Sequence, residues 1–288
     1  MRKRIGRAID RATATADRLT AKGLRLLAGN GVRIAWLVVG CLAAVPLLGF
    51  GVIQAASTVA HEERTEVTTI DLATTDVTGL VVDNGAGSVT VVGVDDADAI
   101  VVRAHISDGL RDTGHRVTTR DDHVFVRGTC PLFGSEWCDV DYTIEVPTDL
   151  YVNAKGLGSV TVSDVDARVI ADSTTGGVDL VRLGGEITAT SDQGRLEGRD
   201  LTARRVTARA DQGRVSLEFT ESPDMVDAEA DQGSIDIVVP DDPDVFYAID
   251  PDADQGSTSL RVNQDTRSDR TIRVKADQGS ITVRYPAS

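Results

Sequence analysis

Five aspartates recur in one short motif: Asp192-Gln193-Gly194, Asp211-Gln212-Gly213, Asp231-Gln232-Gly233, Asp254-Gln255-Gly256 and Asp277-Gln278-Gly279. Carboxylates in series could hold calcium, a hard cation that takes oxygen ligands. An isolated pair of them could hydrolyse a glycan. Hydrolysis fits poorly, because a catalytic pair would occur once and not at every repeat. Calcium would find only one carboxylate per repeat, a thin shell. The structural alternative is a corner: Asp accepts backbone N–H groups in an Asx-type turn, Gly supplies a positive φ, and Gln ladders with the next Gln. Aligned aspartates one strand spacing apart would repel by a few kcal/mol at an effective dielectric of about 20. Backbone donors or shared cations must therefore hold them.

The remaining reactive side chains are sparse. Cys130 and Cys138 flank a seven-residue loop, and on an oxidising side of a membrane they are expected to form a disulfide. A metal site is the alternative, although two thiolates and a distant His123 fall short of a four-ligand zinc set. His61, His105, His115 and His123 all lie in the first half of the chain, in no nucleophile or metal spacing. Gly85-Ala86-Gly87 precedes an alternating strand, whereas a nucleotide site needs a helix start. No catalytic residue and no cofactor other than calcium is indicated.

The elements that position the aspartates can be read from their flanks. Val206-Thr-Ala208-Arg-Ala210 precedes one motif and Val215-Ser-Leu217 follows it, and the next copy reads Val226-Asp-Ala228-Glu-Ala230, then Ile235-Asp-Ile237. Period-two alternation on both sides of a glycine predicts strand, corner, strand, loop. Weaker copies come earlier, so the corner glycines are Gly158, Gly176, Gly194, Gly213, Gly233, Gly256 and Gly279, in steps of 18 to 23 residues. That spacing predicts a single-stranded parallel β-helix, or β-solenoid, in which each coil buries its apolar face against its neighbours. Ala189, Ala208, Ala228 and Ala276 before the corners face larger residues after them and imply a narrow interior. Pro286 after the last strand is the expected stop, since proline cannot donate to a further ladder. Gly87-Ser-Val-Thr-Val91 is a distant echo that should begin the same stack.

The other end reads as a membrane anchor. Ile34 to Ile53 contains no charged residue and is long enough to cross a bilayer of about 30 Å, with Pro46 as a kink. Nine Lys/Arg against two Asp precede it, and 21 against 43 Asp/Glu follow. The basic side should stay cytoplasmic and the acidic side lie outside. A signal peptide cleaved near Gln54-Ala55-Ala56-Ser57 is the rival reading, but the apolar run exceeds a signal's usual length. Residues 4–27 show an apolar and a basic face, either a membrane-surface helix or a loose topology signal. Gly40 and Ala44 could serve a helix contact within the span. The expected organisation is a basic tail at 1–33, a transmembrane helix at 34–56, a linker at 57–68, an irregular β region at 69–149 and regular repeats at 150–288. The acidity of the outer part excludes nucleic acid as a partner, because phosphate binding needs clustered cations.

The basic tail, single span, Gly-Ser-Val-Thr-Val strand, Glu145-Val146-Pro147 before Val152, and corner-glycine strands together resemble the bacterial putative-adhesin family of β-strand-repeat proteins, a domain of unknown function. The likeness covers about residues 70–285, and the chain departs from the family's Ser-Gly or Thr-Gly corner, kept at Thr175-Gly176, by using Asp-Gln-Gly. The resemblance implies a β-solenoid at the cell envelope and assigns no binding residues. The sequence thus leads to a non-enzymatic, membrane-anchored scaffold that presents a flat acidic face to an envelope or surface protein or glycan. An envelope-stress sensor signalling through the basic tail and a glycan-acting β-helix enzyme are the alternatives.

Overall fold

The computed structural model describes residues 62–74, 76–109, 111–131 and 137–286. The expected tail and span, and the amphipathic stretch within the tail, lie outside the described residues. Among the described residues no helix is long and apolar enough to cross a membrane. Residues 62–68 of the expected linker belong to the first strand, β1 (Glu62–Asp71).

Every element among the described residues is a strand. The N-terminal part holds β2 (Gly79–Asn84), β3 (Val89–Val94), β4 (Ala99–Asp108), β5 (Gly114–Arg120), β6 (His123–Thr129) and β7 (Asp139–Pro147). Then come β8 (Tyr151–Gly156), β9 (Val160–Ser163), β10 (Val169–Ser173), β11 (Val178–Val181), β12 (Ile187–Gln193), β13 (Leu196–Leu201), β14 (Arg205–Gln212) and β15 (Val215–Phe219). The last are β16 (Met225–Gln232), β17 (Ile235–Val238), β18 (Ala248–Gln255), β19 (Thr258–Arg261), β20 (Thr271–Gln278) and β21 (Ile281–Arg284). Two sheets result. Sheet A runs β1-β4-β7-β3-β9-β11-β13-β15-β17-β21-β19, and sheet B runs β18-β20-β16-β14-β12-β10-β8-β2-β6-β5.

From β8 to β17 consecutive strands alternate between the sheets, and each pairs in parallel with the strand two places on. One glycine corner separates the two strands of a coil, as expected. Alternation of side chains then decides what is buried. Val152, Val169, Ile187, Val206, Val226 and Ile272 form one inner column, and Ala154, Ala171, Ala189, Ala208, Ala228 and Val274 form the next. Ala276 belongs to a third column, beside Ala210 and Ala230, and not with Ala228 as the simple repeat alignment implied. Each buried Val or Ile contributes about 1.5–3 kcal/mol through apolar surface removed from water.

The region 69–149 is less irregular than its sequence. Val89 stacks on Val160 and Val91 on Val162, so the Gly87-Ser-Val-Thr-Val echo does enter the stack. Strands β6 and β7 form a further coil beyond β2 and β3. All of these share one hydrophobic core with the later repeats. What is irregular is the closure: β4 and β1 in sheet A and β5 in sheet B run antiparallel to their neighbours and form the edges.

At the other end the order of the coils inverts. Strand β16 pairs with β20, and β18 lies outside β20, so the last coil in sequence inserts between its two predecessors. Pro286 therefore does not end the stack, because β21 is paired on both sides. Pro251 is the residue that does. It takes the register of Val274, and the Ala248 N–H points toward β20, bonding the Arg270 carbonyl at 2.8 Å. Alternation turns the donor that Pro251 lacks toward the open edge, where proline is tolerated. Exposed Asp250 and Asp252 further blunt that edge.

Candidate functional site

The five motif aspartates do lie in one column. Their neighbours set the register, with Gln193 opposite Gln212, Gln212 opposite Gln232, Gln232 opposite Gln278 and Gln278 opposite Gln255. The column therefore runs Asp192, Asp211, Asp231, Asp277, Asp254. None of these carboxylates accepts a backbone N–H; Asp277 is held only by Lys275, at 3.1 Å. The Asx-type cap is overturned, and the reason lies in the backbone. Gly194 N–H already donates to Gln212 O at 3.0 Å, Gly213 to Gln232 O at 2.9 Å, Gly233 to Gln278 O at 2.8 Å and Gly279 to Gln255 O at 2.9 Å. With the corner amides used from coil to coil, the carboxylates turn outward, and Asp211, Asp231 and Asp254 are exposed. The glutamines align by backbone, but no bond joins their side chains.

The corner glycines have a steric reason more general than the expected one. Positive φ is found at Gly213 and Gly279, each at 149°. At Gly194, Gly213, Gly233, Gly256 and Gly279 alike, an added Cβ would collide with the carbonyl of the adjacent corner glycine. Gly158 and Gly176 meet the neighbouring corner in the same way, at the Gly87-Ser88 and Gly158-Ser159 backbone or side chain. Close stacking of corners selects glycine throughout. In the earlier coils an inward Ser completes the corner, with Ser173 Oγ donating to Gly158 O at 2.8 Å and Ser191 Oγ to Gly176 O at 3.1 Å. Buried Asn84 does the same work two coils before Ser173, with Gly156 between them in the column, donating to Ser88 O and Val140 O and accepting from Ala86 N–H. Sequence reasoning missed Asn84; its signal was a polar residue at an inward position just before the Gly85-Ala86-Gly87 turn.

Among the described residues no group of three or more His, Cys, Asp or Glu side chains is arranged to hold a metal ion. Cys130 and Cys138 are joined to each other as a disulfide, which removes them as thiolate ligands for His123. His61 lies outside the described residues. His105 Nδ1 is 3.4 Å from Thr65 Oγ1, and His123 Nδ1 meets the Asp121 carbonyl at 2.8 Å. His115 is buried, with Nδ1 2.9 Å from the Tyr142 hydroxyl and Nε2 3.9 Å from Glu66. Burial lowers its pKa, Glu66 partly restores it, and Arg64 lowers it again. Arg64 itself pairs with buried Asp108, which accepts the Thr113 N–H. This cluster ties β1, β4, β5 and β7 together next to the disulfide.

The outer face of sheet B carries a feature the repeat alignment did not disclose. Register places Arg127, Asp83, Lys155, Asp172, Thr190, Arg209, Glu229, Lys275 and Asp252 in one row across the strands. The charges largely alternate and pair: Arg127–Asp83 at 2.9 Å, Lys155–Asp172 at 3.0 Å, Arg209–Glu229 at 3.2 Å and Lys275–Glu229 at 3.4 Å. Hydrogen bonding to Asp172 raises the Lys155 pKa. Each exposed pair is worth about 0.2–1 kcal/mol. Their larger consequence is that this row cancels its own charge. The expected uniformly acidic face is therefore absent from it.

The row ends differently at β5. Arg116 stands directly opposite Arg127, Thr118 opposite Phe125 and Arg120 opposite His123, all on the outer face. Val81 follows Phe125 in the next strand, and Asn153 follows Val81. Gly79 leaves room for the rings of His123 and Tyr151 to meet edge-on over it, with centroids 6.2 Å apart. A cavity of about 430 Å³ opens here, lined by Arg116, Thr118, Arg120, Phe125, Arg127, Val81 and Asp83. Phe125 is 37% exposed in it. Among the described residues neither Arg116 nor Arg120 is ion-paired, so three arginines meet one carboxylate there, in a chain of net charge −15.

Together the described residues form a two-sheet, mainly parallel β protein with repeated glycine corners, a self-paired row of charge on sheet B and a basic and aromatic patch at the β5 edge. Several solved structures resemble it, and those named bear the description that its repeats had suggested. A putative cell adhesion protein from Clostridium sporogenes is 12% identical, over 78% of this chain and 100% of that one, with a TM-score of 0.37. A putative adhesin from Bacteroides fragilis is 14% identical over 77% and 97%, with a TM-score of 0.48. Another from Parabacteroides merdae is 11% identical over 78% and 97%, with a TM-score of 0.26. No family model and no curated protein matches the chain.

Proposed function

We propose that this chain is a membrane-anchored, extracytoplasmic β-solenoid that binds a partner at the cell envelope or surface and performs no chemistry on it. The apolar run at Ile34–Ile53 and the basic residues before it support the anchor and its orientation. Repetition supports the scaffold. The observation that carries the reading is that the outward charges along the sheet B row recur and pair with one another, while at the β5 edge Arg116 and Arg120, without an ion pair among the described residues, stand beside exposed Phe125. Arginines and an aromatic ring recognise ligands, but they supply no nucleophile or general base of suitable pKa. The partner-binding face is then this basic end and not the acidic corner column.

Retention of the full chain on isolated envelope fractions tests the proposal. Binding that falls when Arg116 and Arg120 are both replaced by Gln is expected. Failure of every envelope fraction to retain the chain would overturn it. Deleting residues 2–30 tests the signalling alternative: a cellular response lost while envelope binding persists would favour a sensor.

A further inference from the structure

We infer that the patch on β5, β6 and β2 is a binding site for an acidic saccharide whose carboxylates the arginines hold and whose ring lies on Phe125. The inference rests on the binding-scaffold reading above and names the ligand class of the same site. Three observations point to it.

The first is an electrostatic cost that no ion pair among the described residues offsets. Arg116 and Arg127 are direct cross-strand partners, and like charges so placed destabilise a sheet. Asp83 answers only Arg127, at 2.9 Å, while Arg116 and Arg120 have no carboxylate. Farther along the same row Lys155, Arg209 and Lys275 each stand beside an anion, whereas at this edge Arg116 and Arg127 stand side by side. A bound anion would offset that repulsion, and guanidinium forks match carboxylates in two-point geometry.

The second is the spacing of the charges. Arg116 and Arg120 sit four residues apart on one strand, roughly 13 Å at the usual rise. They bracket Thr118, so two separated anionic groups are met and not one compact ion. A linear polymer with charge at intervals suits such a rim.

The third is the floor between them. Phe125 lies exposed at the centre, flanked by Thr118 and Val81, with Asn153 next in the row. An apolar ring face with a hydroxyl and an amide nearby suits a ligand that has both apolar C–H and hydroxyl surfaces. Phosphate chains have no use for the ring, and an aromatic surface left bare has a cost in water.

Titration of the full chain with an oligogalacturonate, followed by calorimetry, tests the assignment. Saturable binding is expected, weakening with added salt as exposed charges are screened. Arg116→Gln and Arg120→Gln should each weaken it about tenfold, and Phe125→Ala about fivefold. All three side chains are exposed, and an unchanged thermal melt confirms that each variant folds. The methyl-esterified oligomer should not bind. No binding of the oligogalacturonate, or equal binding by the variants, overturns the site. Polyphosphate bound as tightly, with Phe125→Ala without effect, overturns the saccharide in favour of a bare anion surface. If envelope retention persists while the oligogalacturonate fails, this inference falls and the scaffold reading stands.

Discussion

The two ends of the stack stop by different means. At the N-terminal end the chain reverses: β1, β4 and β5 run antiparallel to their neighbours, a disulfide joins Cys130 to Cys138, and His115 meets the Tyr142 hydroxyl at the junction. At the C-terminal end nothing reverses. A coil built around Pro251 is displaced to the outside, and a better-formed one, with Ile272, Val274 and Ala276 buried, takes its place within. One edge is thus closed by chain reversal and side-chain contacts, whereas the other needs only a missing donor and a few carboxylates to discourage further strand pairing. Between the two ends, backbone bonds and glycine contacts repeat, and side chains add little that is particular to one coil.

Breaking the N-terminal closure should have the largest effect. Replacing Cys130 and Cys138 by Ser removes a short covalent loop and should cost about 2–3 kcal/mol, read from a urea melt. A loss confined to the first coils in hydrogen exchange would show that the closure is local.

The next effect is on pH. The His115 pKa is lowered in the fold by burial, with Glu66 and Arg64 of β1 and Tyr142 of β7 around it. The unfolded chain therefore binds this proton more readily. Stability is complete above the unfolded pKa of about 6.5 and falls as pH drops through that value toward the folded pKa. His115→Gln should flatten this slope between pH 7 and 5, read from urea melts across that range.

Smaller still is the change at the opposite edge. Pro251→Val should alter stability by less than about 1 kcal/mol, since the side chain is exposed. It restores an outward donor, so self-association by light scattering should rise even though the melt barely moves. Smallest of all is the corner column. Asp211→Asn with Asp231→Asn should stay within about 0.5 kcal/mol of the parent, and a chelator should not shift the melt.

The sequence disclosed the period, the corner glycines and the alternating strands, because these follow from local spacing. It also disclosed the disulfide, and the entry of Val89 and Val91 into the stack. The order of the coils was not legible, since repeats in series fit serial stacking equally well until Pro251 is set against the donors of β20. Nor was the role of the aspartates, because whether a corner amide is free for a carboxylate depends on the next coil. The basic patch was hidden more deeply: the β5–β6 hairpin sets Arg116 and Arg120 beside Phe125, but Val81, more than forty residues from Phe125, joins them only through the parallel register of β2 on β6.

The inverted coil order is the claim on which both the register and the column rest, and cross-linking tests it directly. In a chain with Cys41 replaced by Ser, cysteines at positions 232 and 278 lie on adjacent strands, about 4.8 Å apart, within disulfide range. Positions 232 and 255 are two strands apart and out of range. Mild oxidation should join Gln232→Cys to Gln278→Cys and leave Gln232→Cys with Gln255→Cys unjoined. A bond between 232 and 255, with none between 232 and 278, would mean that the coils stack in sequence order and would contradict the account.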